Sequence, residues 1–168
     1  MAIRGWQKGV FKVSQWAIKL AREGLRIPVP QSVLNRLVRN VDDPSVRDLR
    51  LEAQEADRVV LSGLKKKGVW VGFSATFTLA APGEEEPPQS LALTLETAEP
   101  FFARGALLAA LADIDGVQVE GDRALVDLRE VIRQHDWGSK IPEGVRNRLR
   151  IMEAHSSEGR IQLRVGLV

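Results

Sequence analysis

The stretch Val69-Trp70-Val71-Gly72-Phe73-Ser74-Ala75-Thr76-Phe77-Thr78-Leu79-Ala80-Ala81 decides the fold. Val69, Val71, Phe73, Ala75, Phe77, Leu79 and Ala81 take every odd position, while Gly72, Ser74, Thr76 and Thr78 sit between them. Side chains of a strand point alternately to its two faces, so the pattern predicts one long strand with a fully apolar face. Extended, it would span roughly 43 Å, well beyond the usual five or six residues. Such a strand must twist, bend or bulge, and Gly72 is the expected place.

Working outward, Pro82 to Pro88 with Glu84-Glu85-Glu86 reads as a solvated hairpin loop, and Leu91, Leu93 and Leu95 resume the alternation on a returning strand. Upstream, Val46 to Ala53 and Asp57 to Leu61 read as strands, and Ser62 to Gly68 as a turn holding Lys65, Lys66 and Lys67 between two glycines. Downstream, Phe101 to Ala112 reads as a helix with Phe102, Leu107, Leu108 and Leu111 buried. Val117 to Glu120 and Arg123 to Asp127 form a strand pair around Gly121-Asp122, followed by a helical turn or two from Leu128 to Gln134. A closing hairpin, Val145 to Ala154 and Arg160 to Val168, turns at Ser156 to Gly159. It sets Leu149, Ile151, Ile161, Leu163, Val165 and Leu167 against Arg146, Arg148, Arg150, Arg160 and Arg164 on the other face. The expected fold is α+β: a long curved antiparallel sheet with a helix packed in its concave side, preceded by N-terminal helices.

Residues 1–40 read as a helical arm and residues 41–168 as the folded domain. The arm carries eight Lys or Arg against one acid, Glu23. On a helix from Ala2 to Arg22, Arg4, Lys8, Lys12, Gln15, Lys19 and Arg22 share one face and Ile3, Trp6, Val10, Val13, Ala17 and Leu20 the other. Gly24 would end this helix, Ile27-Pro28-Val29-Pro30 would be a stiff linker, and Ser32 would cap a second helix closing at Asp42-Asp43-Pro44. A cationic face opposite an apolar one suits a membrane surface, a second subunit, or the chain's own domain, since residues 41–144 carry 19 acids against 11 bases.

Composition narrows the chemistry. With 168 residues and 44% hydrophobic content the chain has enough apolar material for one core. It has no cysteine, which removes disulfides, thiolate nucleophiles and cysteine-based zinc sites, and no tyrosine. His135 beside Asp136 and Trp137 reads as a loop or helix end, and His155 as part of the closing turn. Neither has a second histidine at metal-ligand spacing, and no phosphate-binding glycine motif is present. No catalytic residue, metal or cofactor is expected. The arginines of the closing hairpin lack interleaved aromatics, so nucleic acid ranks third among partners. No apolar run reaches about 18 residues and no secretory leader is evident, so the expected location is cytoplasmic, at most membrane-peripheral.

Three segments carry a family likeness: Val59 to Leu79, Leu91-Ala92-Leu93-Thr94-Leu95, and Val117 to Leu128 with its closing Val126-Asp127-Leu128. Their order resembles the small tubular lipid-binding domains of bacterial lipid-binding and intermembrane-transfer proteins. The basic first helix departs from that pattern. The resemblance implies non-catalytic binding of a phospholipid or similar amphiphile in an apolar groove, which Phe73, Phe77, Leu79, Leu93, Leu95, Phe102 and Leu108 would line. Trp6, Lys8, Lys12, Trp16 and Lys19 would meet the headgroups. The alternative is an assembly protein that forms a homo-oligomer through its first helix.

Overall fold

The computed structural model describes residues 19, 22–39, 41–133 and 138–168. In chain order these form β1 (Leu25–Pro30), α1 (Gln31–Arg39), β2 (Val46–Gln54), β3 (Arg58–Lys67), β4 (Val69–Ala80), β5 (Ser90–Glu99), α2 (Ala103–Ala112), β6 (Val117–Glu120), β7 (Arg123–Asp127), α3 (Leu128–Arg133), α4 (Glu143–Arg146), β8 (Leu149–Ser157) and β9 (Arg160–Leu167). The α+β class and its antiparallel strand pairing are observed. The expected helix from Ala2 to Arg22 lies almost wholly outside the described residues.

The strands make two sheets instead of one: β1-β9-β8, and β2-β3-β4-β5-β7-β6. The odd face of β4 organises both. Near Leu79 it meets the small sheet, where Val59, Leu79 and Ala53 pack against Ile151, Ala154, Ile161, Leu163 and Val165. Further toward the start of β4, Ala75 and Phe77 join Leu61 and Leu95 beneath Leu107 of α2. Leu51 and Leu93 pack against both groups and make the core continuous. Alternation says which residues face inward but not which strands pair, so the closing hairpin reads equally as part of one sheet or as its own layer.

Residues 25–30 are a strand, which corrects the linker reading. Pro28 and Pro30 have no N–H to give a ladder, and β1 tolerates them because it is an edge strand bonded to β9 alone. Its Ile27 and Val29 pack inward on the core.

Three register shifts interrupt the ladders: one in β2 between Arg47 and Arg50, and two, in β5 and β8, that reset which residues face inward. In β5 the pairing passes from Leu95↔Phe77 to Thr97↔Thr76, which leaves Glu96 as the extra residue and shifts the inward phase from Leu95 to Ala98. Gly72 was the expected place, but the bulge falls on the partner strand, where Thr78 donates to the Glu96 carboxylate and Arg58 lies 3.4 Å from it. In β8, Met152 is skipped between Ile151↔Val165 and Glu153↔Arg164, so Ala154 and Ser156 become the buried positions. The Ser156 hydroxyl donates within reach of the Gln54 and Arg58 carbonyls, 2.6 and 2.9 Å away. His155 therefore lies in β8 and not in the turn, 3.3 Å from Asp57.

The free edge of β2 is closed by side chains. Asn35 Oδ1 accepts from the Leu51 N–H at 3.2 Å and Gln31 Oε1 from the Ala53 N–H at 3.0 Å, while the Gln31 amide donates to the Leu51 carbonyl. Spaced four apart, both amides sit on one face of α1 and continue the sheet's hydrogen bonding where a further strand would otherwise add. Replacing Gln31 with Ala should lower stability by about 1–2 kcal/mol, since two backbone groups lose their partner. Urea denaturation of the variant checks this.

Candidate functional site

The apolar face of β4 outruns its cover. Leu79 and Phe77 are buried and Phe73 is half-buried, but Val69 is 70% exposed. β5 ends where Glu99 pairs with Ser74, and the turn after it leaves Phe101 and Phe102 82% and 62% exposed. Phe102 was expected inside the helix on the buried side. The helix starts at Ala103, two residues after the expected Phe101, and buries Leu107 as expected while leaving Phe102 outside.

Cations gather on both faces of this end. β3 runs on to Lys67, so Lys65, Lys66 and Lys67 belong to a strand and the turn is Gly68 alone, at φ 76°. Gly63, which looked like the start of a turn, is a packing residue: an added Cβ would come 2.9 Å from Leu49 and 3.2 Å from the ring of Phe73. The register puts Lys66 across from Trp70 on one face and Lys67 across from Val69 on the other. The Arg47 guanidinium lies 4.0 Å from the centre of the Trp70 ring, the Lys66 ammonium 6.0 Å from it, and the Lys67 ammonium 5.5 Å from the centre of Phe102. These are cation–π distances, and each leaves the charge on the outside of an aromatic face.

A turn at Asp43-Pro44-Ser45 holds this arrangement. Asp43 Oδ1 accepts from the Ser45 N–H at 2.9 Å and from its hydroxyl at 2.6 Å, and the Ser45 carbonyl accepts from Lys66 N–H at 2.8 Å. The Ser45 hydroxyl and N–H, with Lys65 nearby, hold the Asp43 carboxyl below its ordinary value. Lys65 is thereby engaged, 3.7 Å from Asp43, and Arg47 lies 3.9 Å from Asp48. Among the described residues Lys66 and Lys67 are exposed and have no ion-pair partner.

Of the seven residues expected to line a groove, the structure brings Phe73, Phe77, Leu93, Leu95 and Leu108 into one packed cluster and puts Leu79 in the layer beside it. They are core contacts, and only Phe102 stands at the surface. Of the headgroup set, Lys19 is exposed, 4.0 Å from Glu23, and Trp6, Lys8, Lys12 and Trp16 lie outside the described residues. Phe101, Arg47, Lys66 and Lys67, gathered around the half-buried Trp70, are the exposed cluster that sequence reasoning missed. Its signal was present: from Arg58 to Gly83 the chain has four basic residues and no acid, with Val69-Trp70 directly after the lysines.

Elsewhere a cleft of about 410 Å³ is lined by Ser90, Gln118, Leu125, Asp127 and Arg129 among others. It contains none of the expected groove residues. Its Asp127 and Arg129 are paired at 2.9 Å. Arg123 grips Glu86 through two bonds of 2.6 and 2.9 Å, and this fork, with the Gly83 N–H, holds the Glu86 carboxyl below its ordinary value. Two of the closing hairpin's arginines are used locally: Arg164 bonds Glu153 and the Glu23 carbonyl, and Arg148 the carbonyl of Val168. No helix among the described residues is long and apolar enough to cross a membrane. Comparison with protein-family models, with curated proteins and with solved structures finds no match.

Two outcomes follow. Phe77→Ala should cost about 3–5 kcal/mol and Phe102→Ala no more than about 0.5, because the first opens a cavity and the second alters an exposed side chain; urea midpoints distinguish them. Glu86 is favoured as a carboxylate in the folded chain, so its contribution is full above the unfolded value near 4.5 and is lost as pH falls below it. Wild type and Glu86→Gln should differ most in urea midpoint at neutral pH and converge toward pH 3.

Proposed function

We propose that the protein binds a membrane surface without catalysis, through the uncovered end of β4 together with the basic arm. One observation carries this reading: Val69, Phe101 and Phe102 are exposed at the same end of the sheet, beside Trp70 and three lysines. Large aromatic side chains left in water are an unfavourable solution unless another apolar phase covers them, and the bilayer interface is such a phase for aromatics flanked by cations. Trp6 and Trp16 with Lys8, Lys12 and Lys19 give the arm the same two kinds of side chain. The bilayer is favoured over an enclosed amphiphile because Phe77, Leu79 and Leu95 are filled against each other in the core.

Co-sedimentation of the full chain with phosphatidylcholine and phosphatidylserine vesicles tests the reading. The wild type should pellet with vesicles, and Phe101→Ser with Phe102→Ser should bind about tenfold more weakly or worse while keeping its urea midpoint. Absence of vesicle binding overturns it. So does a stable dimer that the same double variant dissociates, which would assign these residues to a second copy of the chain.

A further inference from the structure

Resting on that reading, we infer that the β3–β4 end selects anionic bilayers over neutral ones, with Lys66 and Lys67 as the residues that make the selection. The hairpin end is cationic on both faces. Lys66 and Trp70 share one, Lys67 and Val69 the other, and both lysines lie within two residues of the turn at Gly68. A lysine stem follows apolar surface while its ammonium stays in the polar layer, so a hairpin entering the interface tip-first carries one free ammonium to headgroup level on each side. The neighbouring charges leave these two as the selective pair. Lys65 is tied to Asp43 and Ser45, Arg47 rests on Trp70 beside Asp48, and Glu99 ends β5 at Ser74 further along the strand. The acid-free run from Arg58 to Gly83 means that the hairpin itself has no carboxylate to repel a phosphate or serine headgroup.

A neutral bilayer would satisfy Val69, Trp70, Phe101 and Phe102 but give the ammonium groups no counter-charge. An anionic leaflet provides it, and each lysine near such a surface strengthens binding about fivefold. Nucleic acid also offers phosphates, but Phe101 and Phe102 lie beside Lys67 at the end of an apolar sheet face, where an acyl interface covers them and a sugar-phosphate backbone does not.

The test is the full chain on vesicles of phosphatidylcholine alone and with phosphatidylserine, comparing wild type with Lys66→Gln/Lys67→Gln. The double variant should lose about 30-fold in affinity for the anionic vesicles and keep the wild-type affinity for neutral ones, with an unchanged urea midpoint. Wild type that binds anionic vesicles no better than neutral ones, or a double variant that keeps full anionic preference, overturns the inference and leaves the membrane reading standing. Wild type that binds neither vesicle overturns both. RNA retention that the double variant loses, with no change on vesicles, assigns the lysines to nucleic acid and also overturns the inference.

Discussion

The apolar face of β4 is longer than anything laid on it, and the rest of the molecule follows from how that length is divided. Burial of apolar surface is the main favourable term in folding, so each stretch of the face recruits a layer. The small sheet covers the end at Leu79, and α2 with Leu107 covers the middle at Ala75 and Phe77. Nothing described covers Val69, and the turn after β5 adds Phe101 and Phe102 beside it. The core and the candidate surface are therefore one continuous feature, differing only in whether a second layer reaches that far.

The same strand sets where charge can go. Register carries Lys66 and Lys67 to opposite faces of the β3–β4 end, and the turn at Asp43-Pro44-Ser45 ties Lys65 down while leaving those two in water. The opposite, even face of β4 has Ser74, Thr76 and Thr78, with the bulged Glu96 held there by Thr78 and Arg58. A polar outer face and a closed β2 edge limit sheet-to-sheet association, which is the usual hazard of a chain so rich in strands. Among the described residues the most exposed large apolar side chains, Val69, Phe101 and Phe102, stand together at the hairpin end, while Leu25, Val41, Ile114 and Val168 are exposed elsewhere.

Much of the fold was legible because period-two patterning survives wherever one face is buried. β4, the β6–β7 pair around Gly121-Asp122, and the buried set Leu149, Ile151, Ile161, Leu163 and Val165 all stand where alternation puts them. What escaped was of another kind. Ile27 and Val29 are too few to outweigh two prolines as a signal, and an edge strand that tolerates both is recognisable only once β9 is beside it. Residues 103–112 are apolar on almost every side, so spacing marks no single buried face and Phe102 could not be sorted from Leu107. Six of the seven groove residues face inward, Phe102 being the exception, but inward meant a packed core, a distinction that depends on what the facing layer brings. The surface cluster escaped because its lysines lie between two glycines, which reads as a turn until Gly63 is seen packed against Leu49 and Phe73.

The central claim is that the hairpin end itself enters the bilayer interface. A full-length variant with Phe at positions 6, 16 and 137 keeps Trp70 as its one indole, and its emission can be followed on phosphatidylserine-containing vesicles whose lipids are brominated in the acyl chains. The account predicts that Trp70 emission is quenched when the protein is bound. Bound protein whose Trp70 emission matches that on unbrominated vesicles would contradict it.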